Sequence, residues 1–366
     1  MSEGLLRILI LLTGIAILVG TLVPLDEEPC DDSDAGVTLA EYRIGKSLAN
    51  HEDSLAHVHL AQSVQTGRTC AIKIIQKQKI VDLGQSMYIR RGLQALRAAQ
   101  SPFVVQYFTA FQDHDHLFVV TDYVSEVSLH HLLQRFTKLS EHIARFYAAE
   151  LVSAISFLHG HNVVHGALNP RNCLIAASGH IKLCGFTYAY PSASSPQPLC
   201  YDKATFHYLQ NYIAPEVLRD ELVTPPADWY ALGAMLYQML VGWTPKNIDK
   251  LARFLSEYSQ PVQDVVLSLL SAEPFMRNGI GKLDLRGHTW FSGIDWDEVE
   301  GCRLEPLYKP ICDEEFDFPS QQIEFPSMEP PLNDSYAGSF PDFKYRPRKF
   351  SMAHGTGTTM LTMIAS

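Results

Sequence analysis

The sequence holds no Cys-x-x-Cys pair. Its seven cysteines fall singly at positions 30, 70, 173, 184, 200, 302 and 312. An odd number spread so widely excludes a disulfide framework and a zinc ribbon, and points to buried or free thiols. Basic charge is also short, with 29 Lys and Arg against 40 Asp and Glu, a formal net charge of −11. Nucleic acid is therefore not an expected partner, because phosphate binding needs clustered cations. Between Pro310 and Phe343 there is no Lys or Arg at all, but eight Asp or Glu, the composition of a solvated tail. The converse gap lies between Asp82 and Asp113, which enclose no acidic residue, so a cation placed there has no local carboxylate to pair with. No internal repeat is evident.

Against these absences stands one long apolar run. Ile8 to Val23 (ILILLTGIAILVGTLV) carries no charge. With Leu5 and Leu6 it reaches about 19 residues, broken only by Arg7, which is long enough to span a bilayer. Residues 1–23 are expected to form a hydrophobic helix that anchors the chain, a single pass, with a cleaved secretory signal as the rival. An acidic linker, 24–38, follows. Arg7 is the one basic residue near the run, so the charge rule votes only feebly for a lumenal body.

From Tyr42 to Tyr123 the pattern is strand-rich, with TCAIKII and HLFVVTDYV as β-branched runs around one helical stretch over 80–99. Beyond Ser128 the period turns helical (SLHHLLQRF, then HIARFYAAELVSAISFLHGH), and two short strand-like runs, NCLIAAS and HIKLCGF, follow. ADWYALGAMLYQMLVG is apolar nearly all round and is expected to be buried. Strands first and helices later predict an α+β fold, a small β-rich lobe packed on a larger helical one.

Several motifs stand in order on this frame. Lys73 in CAIK lies 15 residues after Val58. HGALNPRN occupies 165–172, and 13 residues beyond Asn172 begins Gly185-Phe186-Thr187. Ala214-Pro215-Glu216 and ADWYALG with Asp228 come next; LEPLYKP (304–310) and FPDFKY (340–345) close the series. Together they resemble the bilobal protein kinase fold, and within it the AGC group of Ser/Thr kinases near the S6 kinase-related branch, over Tyr42 to Tyr345. The resemblance implies an N-lobe over 39–124, a C-lobe over 125–300 and an AGC-type C-terminal tail over 301–366.

It also implies site residues. Lys73 corresponds to the lysine that grips the ATP phosphates. Val58, Ala71 and Leu174 fall where the adenine ring is sandwiched, Thr121 and Asp122 at the back of the pocket and the hinge, and Asn172 at a metal-holding position. His165, Phe186, Leu96 and Tyr107 align with the apolar spine that links the lobes; Arg277 is the expected ion-pair partner of Glu216. Phe340 and Phe343 would dock on the small lobe, with Lys344 at the family's tail phosphosite. Thr205 falls at the activation-segment phosphosite, eleven residues before Glu216. Ser351 completes an Arg-x-Arg-x-x-Ser pattern of the type basophilic kinases modify, and Asn333-Asp334-Ser335 is a glycosylation sequon that matters only if the body is lumenal.

The departures fall in the catalytic and phosphate-binding motifs. His51, Asp53 and Ala56 stand at the glycine positions of the phosphate loop, where a side chain obstructs the approach of backbone amides to phosphate; Gly45 is a candidate relic of the first. Gly92 replaces the helix glutamate that pairs with Lys73. Ala167 replaces the catalytic carboxylate, Asn169 the catalytic lysine, and Gly166 the arginine that clamps the activation phosphate. Gly185 replaces the metal-holding aspartate. Tyr208-Leu209 replaces the peptide-docking Gly-Thr. The expected function is a membrane-tethered pseudokinase with its body on the cytoplasmic side, acting as scaffold or allosteric partner of another kinase or signalling protein. ATP or ADP bound without Mg is the expected ligand, if there is one. Two alternatives stay open: an atypical active Ser/Thr kinase, and a nucleotide sensor without turnover.

Overall fold

The structure, a computed structural model, describes residues 37–49, 56–191, 199, 201–219, 221–245, 251, 255–277, 284–310, 316, 318, 336 and 339–345. The apolar run 1–23, the linker through Gly36, His51, Asp53, Asn333 and Ser351 lie outside the described residues. Among the described residues no helix is long and apolar enough to cross a membrane.

Alternation builds the sheet. In β3 (Thr69–Gln76), Cys70, Ile72 and Ile74 turn to one face, where they meet Ile44, Ala61, Phe111, Phe118 and Val120 in a small closed core. Ala71, Lys73 and Ile75 turn the other way. β1 (Tyr42–Ala49), β2 (Ala56–Ser63), β4 (Tyr107–Gln112) and β5 (His116–Asp122) complete an antiparallel set in the order β1-β2-β3-β5-β4. The helix expected over 80–99 is two helices, α1 (Lys77–Asp82) and α2 (Ser86–Ala98). They part at Gly84, whose φ of +65° costs a glycine little and breaks the helical path. α2 buries Ile89, Gly92, Leu93 and Leu96, one stripe at helical spacing.

The second lobe is mainly helical. α3 (Leu129–Phe136) and α4 (Glu141–Gly160) precede the short strands β6 (Val163–Val164), β7 (Cys173–Ile175), β8 (Ile181–Leu183) and β9 (Tyr190–Pro191). A seven-residue helix, α5 (Lys203–Leu209), and the single turn α6 (Pro215–Leu218) lead into α7 (Pro226–Val241). Every residue of α7 but Gln238 is buried, and it ends at Gly242 with φ +98°. α8 (Gln260–Leu269) and α9 (Trp296–Glu300) finish this lobe. The tail returns to the sheet as β10 (Lys344–Tyr345), parallel to β4, so the completed sheet has six strands.

Candidate functional site

Strand register gathers the cleft's roof. Val58 faces Lys73 across β2–β3, and Ala71, two residues before Lys73, faces Thr121 across β3–β5. Residues opposite one another, or two apart, share a face, so these four side chains form one surface. Leu174 in β7 is bridged to Ser128 and belongs to the other lobe. All five are half-buried, as lining residues are. Asp122 is committed elsewhere: its carboxylate accepts from the Gln106 amide and from Lys182, each at 2.7 Å.

Lys73 has a partner, though not a carboxylate. Its Nζ donates to Thr187 Oγ1 at 2.5 Å. Burial lowers the Lys73 pKa to about 8, partly offset by the neighbouring Cys184 thiol. The family's glutamate position, Gly92, has no room for a side chain: a Cβ there would lie 2.1 Å from the Phe186 carbonyl oxygen. α2 is thus pressed directly onto the 186–188 turn. Thr187 went unread in the sequence; its one signal is a hydroxyl residue where the family keeps glycine.

The loop at 165–172 is held from below. Asp228 accepts from the His165 and Gly166 amides and from His159 Nε2, all at 2.9 Å. Burial alone would raise the Asp228 pKa; His159, His165 and these donors outweigh it and leave it lowered. His165 packs on Phe186 with ring centroids 4.9 Å apart, and Leu96 is buried in the same core, which Tyr107 adjoins. The Asn169 and Asn172 amides both donate to the Ala167 carbonyl, at 2.9 and 2.8 Å, while Asn169 Oδ1 caps the Arg171 amide at 2.8 Å. Asn169 is therefore spent on the loop itself, and the Asn172 amide nitrogen is tied to it. Gly185, at φ +81°, would bring a Cβ within 2.4 Å of Asn172. Mg²⁺ requires several hard, mostly anionic oxygens. Here the donor set is the single neutral amide oxygen of Asn172, with no carboxylate at Ala167 or Gly185, so these residues do not fit that ion.

Where an activation phosphate would sit, there are tyrosines. Tyr188 and Tyr201 pack with centroids 4.8 Å apart, Tyr201 donates to the Gly166 carbonyl at 2.6 Å, and Tyr188 donates to Asp202 at 2.7 Å. Gly166, at φ +70°, lets them close, since a Cβ would fall 2.8 Å from the Tyr188 carbonyl oxygen. Asp202 caps α5, accepting from the Thr205 amide at 2.9 Å and from its hydroxyl at 2.5 Å. The Thr205 hydroxyl thus faces a carboxylate rather than an arginine.

The scaffold contacts are closed. Glu216 takes a two-pronged ion pair from fully buried Arg277, at 2.6 and 3.0 Å. Phe340 and Phe343 are buried, and Gln112 donates to both of their carbonyls at 3.0 and 2.5 Å. Asp342, between them, accepts from Arg90 at 2.5 Å, and Arg97 reaches its carbonyl at 3.2 Å. Earlier in the tail, Phe316 meets Tyr123 at the hinge edge-on, centroids 5.2 Å apart. The Phe318 ring leaves 3.3 Å for a Cβ on Gly45, the relic glycine, which lies inside β1. Gln112, Asp342, Phe316 and Phe318 escaped the sequence reading; the aromatic pair in the acidic string DEEFDF was the available signal.

A family model described as the protein kinase domain matches residues 52–291. The chain belongs to the protein kinase family. Among curated relatives, this kinase-family chain is 28% identical to cAMP-dependent protein kinase type 3 of Saccharomyces cerevisiae over 312 residues, 81% of this chain and 76% of that one. It is 32% identical to the mouse protein kinase C eta type over 308 residues, 79% of this chain and 44% of the relative. It is 27% identical to the Arabidopsis thaliana serine/threonine-protein kinase AtPK2/AtPK19 over 359 residues, 92% and 74% of the two. The kinase fold and an AGC-like character both follow from these matches, with the β-rich lobe and the helical lobe in the expected order.

Proposed function

We propose that this protein is a catalytically inactive, kinase-like scaffold or allosteric regulator, tethered to a membrane by residues 1–23, with another kinase or signalling protein as its partner. One observation carries the reading. The positions that would hold the base and the metal, Ala167 and Gly185, lack carboxylates, and the Asn169 and Asn172 amide nitrogens beside them are turned onto the Ala167 carbonyl. Phosphoryl transfer depends almost entirely on positioning and charge stabilisation, so these losses compound. The completeness of the packing contacts, from Asp228 to Phe343, supports a shape kept for binding.

The test is a radiolabel transfer assay with the full-length chain, ATP and either Mg²⁺ or Mn²⁺. No incorporation above background is expected. Incorporation that disappears in Lys73→Ala would overturn the proposal in favour of an atypical Ser/Thr kinase. The apolar side chains of Val58, Ala71 and Leu174 favour one further reading, a nucleotide sensor. Under that reading ATP or ADP raises the melting temperature without Mg²⁺; no shift at millimolar ATP rules it out. Occupancy of the Asn333 sequon in cells would place the body in the lumen, and its absence beside a glycosylated control is the expected result for a cytoplasmic body.

A further inference from the structure

Beside the 165–172 loop lies a cavity of about 250 Å³, lined from the loop, α3, α5 and α7. That falls under the roughly 300–1,000 Å³ that enclose a whole small molecule, and suits one or two side chains of a strand laid across it. Its one formal charge is the positive Arg171. Arg171, His130 and His207 face it, with Tyr208, Tyr212 and Asn211, and no Asp or Glu is among its lining residues. The acids that flank its lining residues in sequence are committed elsewhere, Asp202 to Thr205 and Tyr188, Glu216 to Arg277 and Glu126 to Lys46.

Arg171 is the telling residue. Its side chain is exposed, lies 6.0 Å from the Tyr208 ring centroid, and forms no ion pair among the described residues. Its backbone is fixed by the Asn169 cap. A guanidinium presents a rigid fork of donors that matches a carboxylate two-pronged, and an aromatic face beside it restricts its motion. The Asn211 side-chain amide also has no hydrogen-bond partner among the described residues, and can bond the main chain of a visiting strand. Tyr212, by contrast, donates to Gln238 at 2.5 Å and forms part of the wall. In a chain of net charge −11, a cationic cavity without an acid in its lining is set against the general field.

We infer that this cavity binds an acidic peptide segment of a partner protein, an Asp or Glu carboxylate engaging Arg171 while His130 and His207 flank it. The inference rests on the scaffold reading only in that the segment is held rather than phosphorylated.

The test is fluorescence anisotropy on the full-length chain in mild detergent, without nucleotide or metal. The probes are a fluorescein-labelled dodecapeptide of alternating Glu and Gly and its Lys–Gly twin. The acidic peptide is expected to bind at least about tenfold more tightly than the basic one, and Arg171→Glu to weaken it about tenfold or more. Arg171→Lys, which keeps the charge but loses the fork, should weaken binding about three- to fivefold, less than Arg171→Glu, and His207→Gln should weaken it about two- to fivefold. Both residues are exposed, so unchanged melting curves confirm that the variants fold. Equal affinity in Arg171→Glu and the natural chain, or preference for the lysine peptide, overturns the inference. Phosphate transfer onto a serine-bearing acidic peptide would instead overturn the scaffold reading and leave the cavity's charge preference standing.

Discussion

At Lys73 the fold holds an ammonium in a place that disfavours it. Its pKa is lowered from 10.5 to about 8 by burial, and its one strong partner is the neutral Thr187 hydroxyl. A base whose folded pKa is depressed binds its proton more weakly folded than unfolded. Below pH 8 both states are protonated and the full penalty applies, on the order of 3 to 4 kcal/mol at 1.36 kcal/mol per unit. Between pH 8 and 10.5 the folded form sheds the proton first, and the penalty fades. Lys73→Met should therefore melt higher than the natural chain at pH 7, with the gap narrowing as pH rises above 8. Paired melts from pH 6 to 10 read this directly; a variant less stable at pH 7 would show that the Thr187 bond outweighs burial. Gly92 is the complementary case. Restoring the family's glutamate drives a Cβ to within 2.1 Å of the Phe186 carbonyl, so Gly92→Glu should cost on the order of 3 kcal/mol and bring no phosphoryl transfer. Denaturant titration and the radiolabel assay check the two halves.

The elements divide into those written as patterns and those set by contact. β3 and β5 alternate or run β-branched, and α7 is apolar all round, so each was readable in the sequence. The break at Gly84 was not, because a single glycine inside a helical period is often tolerated. α5 was missed for a different reason: seven residues give too little period to see, and the helix is set by the Asp202 cap. The pairing of β10 with β4 depends on side chains 200 residues away in the chain, in Gln112, Arg90 and Arg97, which no local pattern encodes. Burial, more than charge, should hold that tail. Phe343→Ala is expected to cost about 3–5 kcal/mol and Phe340→Ala a similar amount. Asp342→Ala should cost no more than about 1 kcal/mol, because Arg90 stays 41% exposed and its pair is screened. Chemical denaturation of the three variants ranks them. If Asp342→Ala proved the costliest, the tail would be an electrostatic latch instead.

Across the whole molecule, what was legible of the site was its losses. Catalytic charge attaches to residue types, so Ala167, Gly185 and Gly92 announced themselves in the string. What replaced that chemistry was not legible, since Thr187, Tyr201 and the inward-turned asparagines matter through contacts that fold brings about. The two lobes are joined by a continuous chain of contacts: Asp228 holds His165, His165 packs on Phe186, and the Phe186 carbonyl meets α2 at Gly92. A carboxylate at its root should control the stability of the entire body. Asp228 is buried, and removing it orphans two backbone donors and the His159 ring at once, so Asp228→Ala is expected to cost about 3–5 kcal/mol. The pH dependence follows from its lowered pKa. The unfolded carboxyl titrates near 3.8 and the folded one lower, so the contribution is complete above that value and is lost as pH falls through the folded pKa. Urea titrations of the natural chain and Asp228→Asn should therefore show a constant gap from pH 7 down to about 5, closing below about 4. A gap that widened on acidification would mean that the loop is held by a protonated Asp228, and the path between the lobes would need a different root.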